Sequence, residues 1–523
     1  MPKVIIYDTT LRDGAQGEGI SYSVADKVRI AEELDLLGVD YIEGGWPGSN
    51  PKDMDFYLKL AKNPLKVSKI VAFGSTRRPH SLASEDNNLK AFFKSQVDTV
   101  TIFGKTWDLH IKDVLKTTLE ENLNMIRDTI EFLVSKGLTV FYDAEHFFDA
   151  YQSNKDYSLK CLLCAQEAGA KALVLCDTNG GALTSKVLRI VREIRPNINV
   201  WLGIHCHNDS GLAVANSIAA VESGADMVQG TINGYGERCG NADIIPIIAN
   251  LQLKLKVDCI DEKKIKELTK VSRFVSEVSN MKQRNDQPYV GESAFAHKGG
   301  VHINAVMKNP VTYEHIDPTS VGNHRRMLVS ELAGKSGIMI MARNMELDLS
   351  KENPQTRKIL KLIQGLEHKG YHFEAAEASF ELLMKKALKK YNKFFDLEGF
   401  KVVVEKRSDK KITSEAIIKL KVKGIKEHTA AEGDGPVNAL DNALRKALKD
   451  FYPALSKMHL SDFKVRVLEE KSGTAACVRV LIQSQDEDET WNTIGVHENI
   501  IEASWQALVD SIEYKLLKNK VKP

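Results

Sequence analysis

The sequence predicts an α/β protein: an N-terminal (β/α)8 TIM barrel, a helical connector, and a C-terminal α+β domain with a twofold internal repeat. Three observations predict the barrel. From residue 4 to about 256, short β-branched runs alternate with longer amphipathic stretches, the pattern of parallel strands joined by crossover helices. Eight such pairs fill that length, which suits a closed ring of eight βα units. Polar residues gather after nearly every strand, and no Gly-x-Gly-x-x-Gly opens the first helix, which weighs against a doubly wound open sheet.

In chain order the expected strands are Val4–Asp8, Val39–Glu43, Lys69–Phe73, Thr99–Phe103, Thr139–Asp143, Ala172–Cys176, Val200–His205 and Met227–Thr231. The first helix is expected to be capped by Ser23 and stopped near Gly38. Residues 1–270 form the expected catalytic barrel. Residues 271–395 read as a helical connector, with Lys-rich helical patterns around a Gly-, His-, Asn- and Pro-rich loop from Gly291 to Asn323. Residues 396–523 repeat a strand, strand, helix pattern at a spacing of about 60 residues: Lys401–Val404, Ala416–Val422 and Val437–Asp450, then Phe463–Val467, Ala475–Ile482 and Asn499–Leu517. Each half places a glycine, Gly435 or Gly495, just ahead of its helix. Such a module suits small-molecule sensing or dimerisation, or serves as packing alone.

Composition narrows the partners. Lys and Arg number 72 against 70 Asp and Glu, a net charge of +2, with no electrostatic footprint for nucleic acid or a membrane surface. The chain has neither an apolar leader nor an uninterrupted apolar run long enough to span a bilayer, so a cytoplasmic protein is expected. Seven cysteines without regular spacing fit a reducing compartment, and Cys161-x-x-Cys164 lies in a helical pattern, as packing residues would.

Barrel enzymes work at the C-terminal ends of their strands. The seventh strand ends Gly203-Ile204-His205-Cys206-His207, and its two-residue period points both histidines to one face. A single buried histidine is usually a satisfied core residue; a His-x-His pair at a barrel mouth points to a divalent metal. Asp13 after the first strand and Asn241 after the eighth are the oxygen partners within reach around a closed ring. Arg12 suits a substrate carboxylate or an enolate oxygen, or forms a plain ion pair, with Glu43 placed to hold it. Asp143 and Glu145 on the fifth strand are candidate proton acceptors. Thr178, in Asp177-Thr178-Asn179-Gly180, offers a hydroxyl to a carboxylate, although that tetrapeptide is also a good turn. Arg77 and Arg78, after the third strand, read either as a site for phosphate groups or as a charged loop.

Four separated motifs, Asp8-Thr9-Thr10-Leu11-Arg12-Asp13-Gly14, His205-x-His207, Gly236-Glu237-Arg238-x-Gly240-Asn241 and Phe295-Ala296-His297-x-x-Gly300-x-His302, resemble the 2-isopropylmalate, homocitrate and citramalate synthase family over essentially the whole chain. The stretches Glu43-Gly44-Gly45-Trp46-Pro47-Gly48 and Tyr142-Asp143-Ala144-Glu145-His146 resemble its citramalate synthase branch most. The resemblance implies a metal-assisted Claisen condensation of acetyl-CoA with a 2-oxo acid, here pyruvate, followed by thioester hydrolysis. A larger oxo acid, or an acyl-CoA lyase or aldolase reaction on the same barrel, are the alternatives.

By that resemblance Asp13, His205, His207 and Asn241 hold the metal, Mn²⁺ or Mg²⁺ with Zn²⁺ or Co²⁺ as alternatives. Arg12, Glu145, His302 and Tyr313 are catalytic, and Arg12, Gln16, Asp143, Thr178 and Thr101 bind substrate. His302 and Tyr313 match residues that enter the partner subunit's active site, which implies a homodimer with shared sites. The terminal repeat resembles an allosteric amino-acid-binding domain, with isoleucine the expected effector and isoleucine formation the expected pathway. The sequence departs from isopropylmalate synthases at Thr101 and Asp143, and Phe73 and Phe103 stand at neighbouring strand ends. These four argue for a pocket with room for a methyl group only.

Overall fold

The computed structural model describes residues 3–328, 354–406, 412–468, 476–486 and 490–522. Strands β1 (Ile5–Asp8), β2 (Tyr41–Gly45), β3 (Lys69–Ser75), β4 (Thr99–Lys105), β5 (Thr139–Glu145), β6 (Ala172–Asp177), β7 (Trp201–Cys206) and β8 (Met227–Gly230) form a closed barrel in sequential order. Parallel pairing of β1 with β8 closes the ring. The helix Val24–Leu37 begins in a capping box between Ser23 and Asp26 and ends at Gly38, whose φ of 89° is a left-handed conformation that glycine tolerates.

Several strands run past their expected ends. β4 continues to Lys105 and β5 to Glu145, and these two residues are register partners across the strands. Gly104 permits this: a Cβ there would stand 2.8 Å from the Tyr142 hydroxyl. Below the mouth, Tyr7, Tyr41, Val71, Phe141 and Val174 fill the barrel, with Tyr41 and Phe141 edge to face at 5.1 Å. The interior is a packed plug rather than a channel, so any ligand must sit above it.

Asp8 ends β1 fully buried, its carboxylate accepting from the Thr10 amide and hydroxyl at 2.9 Å each. Burial pushes its pKa up from 3.8 to about 7, the hydrogen bonds from Thr10 opposing. Between those values the native state holds a proton that the unfolded chain has released, so stability falls as pH rises through the window. Asp8→Asn should therefore remove a loss on the order of a few kcal/mol between pH 5 and pH 8. Urea midpoints of both proteins at the two pH values check this, and equal declines would refute it.

The first compact unit comprises Met1–Phe295 and His315–Arg325, and so extends past residue 270. The helix Leu268–Val278 belongs to it through side-chain bonds to barrel loops: Asn233 Nδ2 donates to the Ser272 carbonyl at 2.9 Å, and Tyr22 meets Ser279 just beyond the helix at 2.8 Å. Arg77 is 4% exposed and bonds Glu121 at 2.8 Å and Asp128 at 3.0 Å, so its charge is already committed within the barrel rather than free for a phosphate.

The second unit comprises Ala296–Glu314 and Arg326–Pro523. A short parallel pair, β9 (Ala296–His297) with β10 (Arg326–Met327), precedes two antiparallel sheets. These are β11 (Asp396–Lys406), β12 (Ile412–Val422) and β13 (Ile425–Gly433), then β14 (His459–Val467), β15 (Val478–Gln485) and β16 (Thr490–His497). Each sheet precedes one helix, Pro436–Leu448 or Ile500–Lys518, and both repeats share one apolar core. Two strands per repeat were expected and three are present. β13 and β16 escape a sequence reading because each pairs on one side only and carries polar residues such as Lys426, Glu427 and Asn492. The true glycine counterparts are Gly433 and Gly495, both inside strands, where a Cβ would collide with the backbone of Ala439 or Ala503 in the following helix. Residue 475, the expected start of one strand, lies outside the described residues. No helix among the described residues is long and apolar enough to cross a membrane.

Candidate active site at the barrel mouth

A cavity of about 500 Å³ opens above the plug, and its wall includes Arg12, Asp13, Asp143, Glu145, His205 and His207. The strand period brings His205 and His207 to one face, with ring centroids 5.2 Å apart. Asp13 Oδ2 lies 3.3 Å from His205 Nε2 and 3.9 Å from His207 Nε2. A ligand atom from each of the three lies within 4.8 Å of the others, and all three residues are buried. Asn241 faces His207 through an isolated β-bridge. Asp13 Oδ1 and Asn241 Oδ1 are both buried without a hydrogen-bond partner among the described residues. Unpaired buried oxygens are costly. Two of them beside two imidazoles form a donor set that fits a divalent cation.

Charge at the site is ordered by Arg12. Its guanidinium donates to Glu43 Oε2 at 2.5 Å and to Asp13 Oδ2 at 3.1 Å, and lies 3.9 Å over the Phe73 ring. Glu43 is fully buried and also accepts from Tyr7 and Thr9 at 2.6 Å each. Burial alone would raise Asp13, but Arg12 and the two histidines hold its carboxyl far below the usual range. Burial lowers His207 to about 4 and keeps it neutral, whereas His205 is raised against its burial by Asp13. Asp143 is pushed up to about 7 by burial and by Glu43.

Gln16, Asp143, Thr178 and Glu145 all reach the cavity wall. The Thr178 hydroxyl accepts the His146 amide at 2.9 Å, and its carbonyl accepts from Arg238 at 2.8 Å, which ties together the loops after β5, β6 and β8. Glu145 forms an ion pair with Lys105. Thr101 departs from expectation: it is fully buried beneath the wall, its hydroxyl 2.8 Å from Tyr7 Oη, because Phe103 two residues further along the strand takes the wall position. His302 and Tyr313 belong to the second unit, where their rings stack at 4.1 Å. Sequence reading missed Lys105, Trp46 and Gln229. Gln229 carried a signal, being a polar residue on the same strand face as the buried Met227, two positions away.

Phe73 and Phe103 stack at 5.3 Å, and Trp46 meets them edge-on at 5.9 and 5.7 Å, making one apolar wall that adjoins Arg12 at Phe73. The Trp46 amide donates to Asp53 at 2.9 Å, and Lys27 bonds Asp53 at 2.6 Å and the Gly44 carbonyl at 2.8 Å, fixing the loop that carries the indole.

A sequential (β/α)8 barrel with a buried Asp-His-His group, a clamped arginine and a carboxylate at its mouth defines an enzyme acting on small anionic substrates. Residues 3–275 match the HMGL-like family, residues 289–370 the homocitrate synthase post-HMGL domain-like family, and residues 374–516 the LeuA allosteric (dimerisation) domain. The chain belongs to the HMGL-like family, in its 2-isopropylmalate, homocitrate and citramalate synthase branch. It is 54% identical to an (R)-citramalate synthase of Geobacter sulfurreducens over 99% of each chain. Identity to the (R)-citramalate synthase of Aquifex aeolicus is 53%, over 99% of this chain and 98% of that one. Identity to a 2-isopropylmalate synthase of Methanocaldococcus jannaschii is 31%, over 99% of this chain and 96% of that one.

Proposed function

We propose that the protein condenses acetyl-CoA with pyruvate and water to give (R)-citramalate and free CoA, and that it feeds isoleucine formation in the cytoplasm. The observation that carries this is Arg12, held between Glu43 and Asp13 in the cavity that both histidines line, and stacked on Phe73 of the aromatic wall. Asp13, His205 and His207, with Asn241, would hold a divalent cation, Mn²⁺ or Mg²⁺, which supplies Lewis-acid polarisation of the ketone when bound. Thr178 and Gln16 orient the pyruvate carboxylate. Arg12 sets a fixed positive charge where negative charge develops on oxygen, without reorganisation during the reaction. Glu145 moves the proton at the acetyl methyl group, with Lys105 keeping its carboxylate aimed. Trp46, Phe73 and Phe103 exclude water and limit the oxo-acid side chain.

Residues 1–270 are the catalytic part, 271–395 the connector, and 396–523 a regulatory domain that takes isoleucine. His302 and Tyr313 serve the partner subunit's site in a homodimer. The match of residues 374–516 to an allosteric dimerisation domain supports a regulatory role for the C-terminal part.

Thiol release from acetyl-CoA, measured with pyruvate, 2-oxoisovalerate and 2-oxoglutarate in turn, with Mn²⁺ and with excess chelator, tests the reading. A metal-dependent preference for pyruvate is expected, and a preference for either larger acid would overturn it. Phe103→Ala should widen the wall and shift kcat/KM toward 2-oxobutanoate, relative to pyruvate, by about 10- to 100-fold, the usual worth of one methylene in an apolar pocket. An unchanged ratio would remove Phe103 from specificity.

A further inference from the structure

We propose that Gln229 is a positioning residue that fixes the His205 imidazole in its Nδ1–H form and ties it to Asp143. One buried carboxamide would then join the wall of the oxo-acid pocket to the metal-binding group. Gln229 is fully buried on β8, where it is the register partner of His205 on β7. Its Oε1 lies 3.0 Å from His205 Nδ1, and its Nε2 donates to Asp143 Oδ1 at 3.1 Å.

A carboxamide has one accepting end and one donating end. Asp143 Oδ1 accepts whether or not Oδ2 carries a proton, so the NH₂ group faces Asp143 and the oxygen faces the ring. A ring nitrogen opposite an acceptor carries hydrogen. Nε2 faces the Asp13 carboxylate at 3.3 Å, so the metal-free ring meets an acceptor at both ends, and a cation that takes the Nε2 lone pair leaves the Nδ1–H on Gln229. With Asp143 ionised, turning the amide over would set oxygen against oxygen there, so the two contacts hold one another in place. His207 has no such support: its Nδ1 is buried without a hydrogen-bond partner among the described residues. Of the two imidazoles, His205 is therefore the one whose tautomer and ring plane are imposed by the protein, and substrate contacts at Asp143 are transmitted to it through one side chain.

A partner that accepts the second N–H of a metal-ligating histidine orients the ring and raises its basicity, and its loss costs about 10- to 100-fold in metal affinity. The inference rests on reading Asp13, His205 and His207 as the metal-binding group. The test compares wild-type, Gln229→Leu and Gln229→Glu full-length proteins. Calorimetry with Mn²⁺ reports the affinity.

Gln229→Leu should bind Mn²⁺ about 10- to 100-fold more weakly than wild type. In Gln229→Glu the new carboxyl shares one proton with Asp143, because two adjacent buried carboxylates do not both ionise. It thereby repeats both contacts, and Mn²⁺ affinity should stay near wild type. An unchanged affinity in Gln229→Leu, or equal loss in both variants, would overturn the proposal. A wild-type protein that binds no Mn²⁺ would instead overturn the metal reading on which the proposal rests.

Discussion

Replacing His207 with alanine is expected to lower metal-dependent thiol release by about 10³-fold or more, since a bound Lewis acid is worth several kcal/mol and each 1.36 kcal/mol is tenfold in rate. The fold should survive. His207 is tied to its neighbours through its backbone, its N–H donating to the Asp177 carbonyl at 3.2 Å, and its neutral ring leaves no counter-charge stranded when removed. Asp13 keeps its contacts with Arg12 and His205. Circular dichroism with thiol-release assays over a Mn²⁺ series would show an intact protein with little activity at any metal concentration. More than a tenth of wild-type activity in His207→Ala, or full wild-type activity in excess chelator, would sink the assignment of this group.

Arg12→Met is expected to damage both activity and stability, for separable reasons. Activity should fall by about 10²- to 10³-fold, the usual cost of losing a preorganised donor at a developing oxyanion. Stability should fall by about 3–5 kcal/mol, because Glu43, fully buried, would keep only its two hydroxyl donors and lose its counter-charge. The double variant Arg12→Met/Glu43→Gln removes the stranded charge. It should recover most of the stability in urea unfolding and none of the activity. Recovery of activity in the double variant would reduce Arg12 to a structural ion pair.

Much of this site could be read from the chain alone. The period of β7 places His205 and His207 on one face whatever lies around them, and Asp13 and Asn241 meet them because a closed ring makes β1 and β8 neighbours of each other and β7 a neighbour of β8. The Ser23 cap and the Gly38 stop are local, decided by hydrogen bonds and a φ angle within one turn. Glu43 as the partner of Arg12 followed from its place at a strand end.

The depth of a side chain within the barrel was another matter. Thr101 and Phe103 share a face of β4, and only the stagger of the strands decides that Phe103 lines the cavity while Thr101 lies under it on Tyr7. The roles of Gln229 and Lys105 escaped for a related reason: their meaning lies in partners on other strands, His205, Asp143 and Glu145, whose alignment is a property of the ladder. The third strands of the terminal repeat, β13 and β16, gain their conformation from a neighbour's backbone rather than from their own apolar pattern.

The sequence by itself thus determined the barrel, its eight βα units, the twofold terminal repeat and the residue types that meet at the mouth. Each of these follows from periodicity, which depends only on spacing along the chain. Tertiary structure alone decided which of those residues touch, how their charges are shifted, and which side chains line the cavity, because hydrogen bonds and desolvation depend on distances between elements that the one-dimensional pattern does not contain.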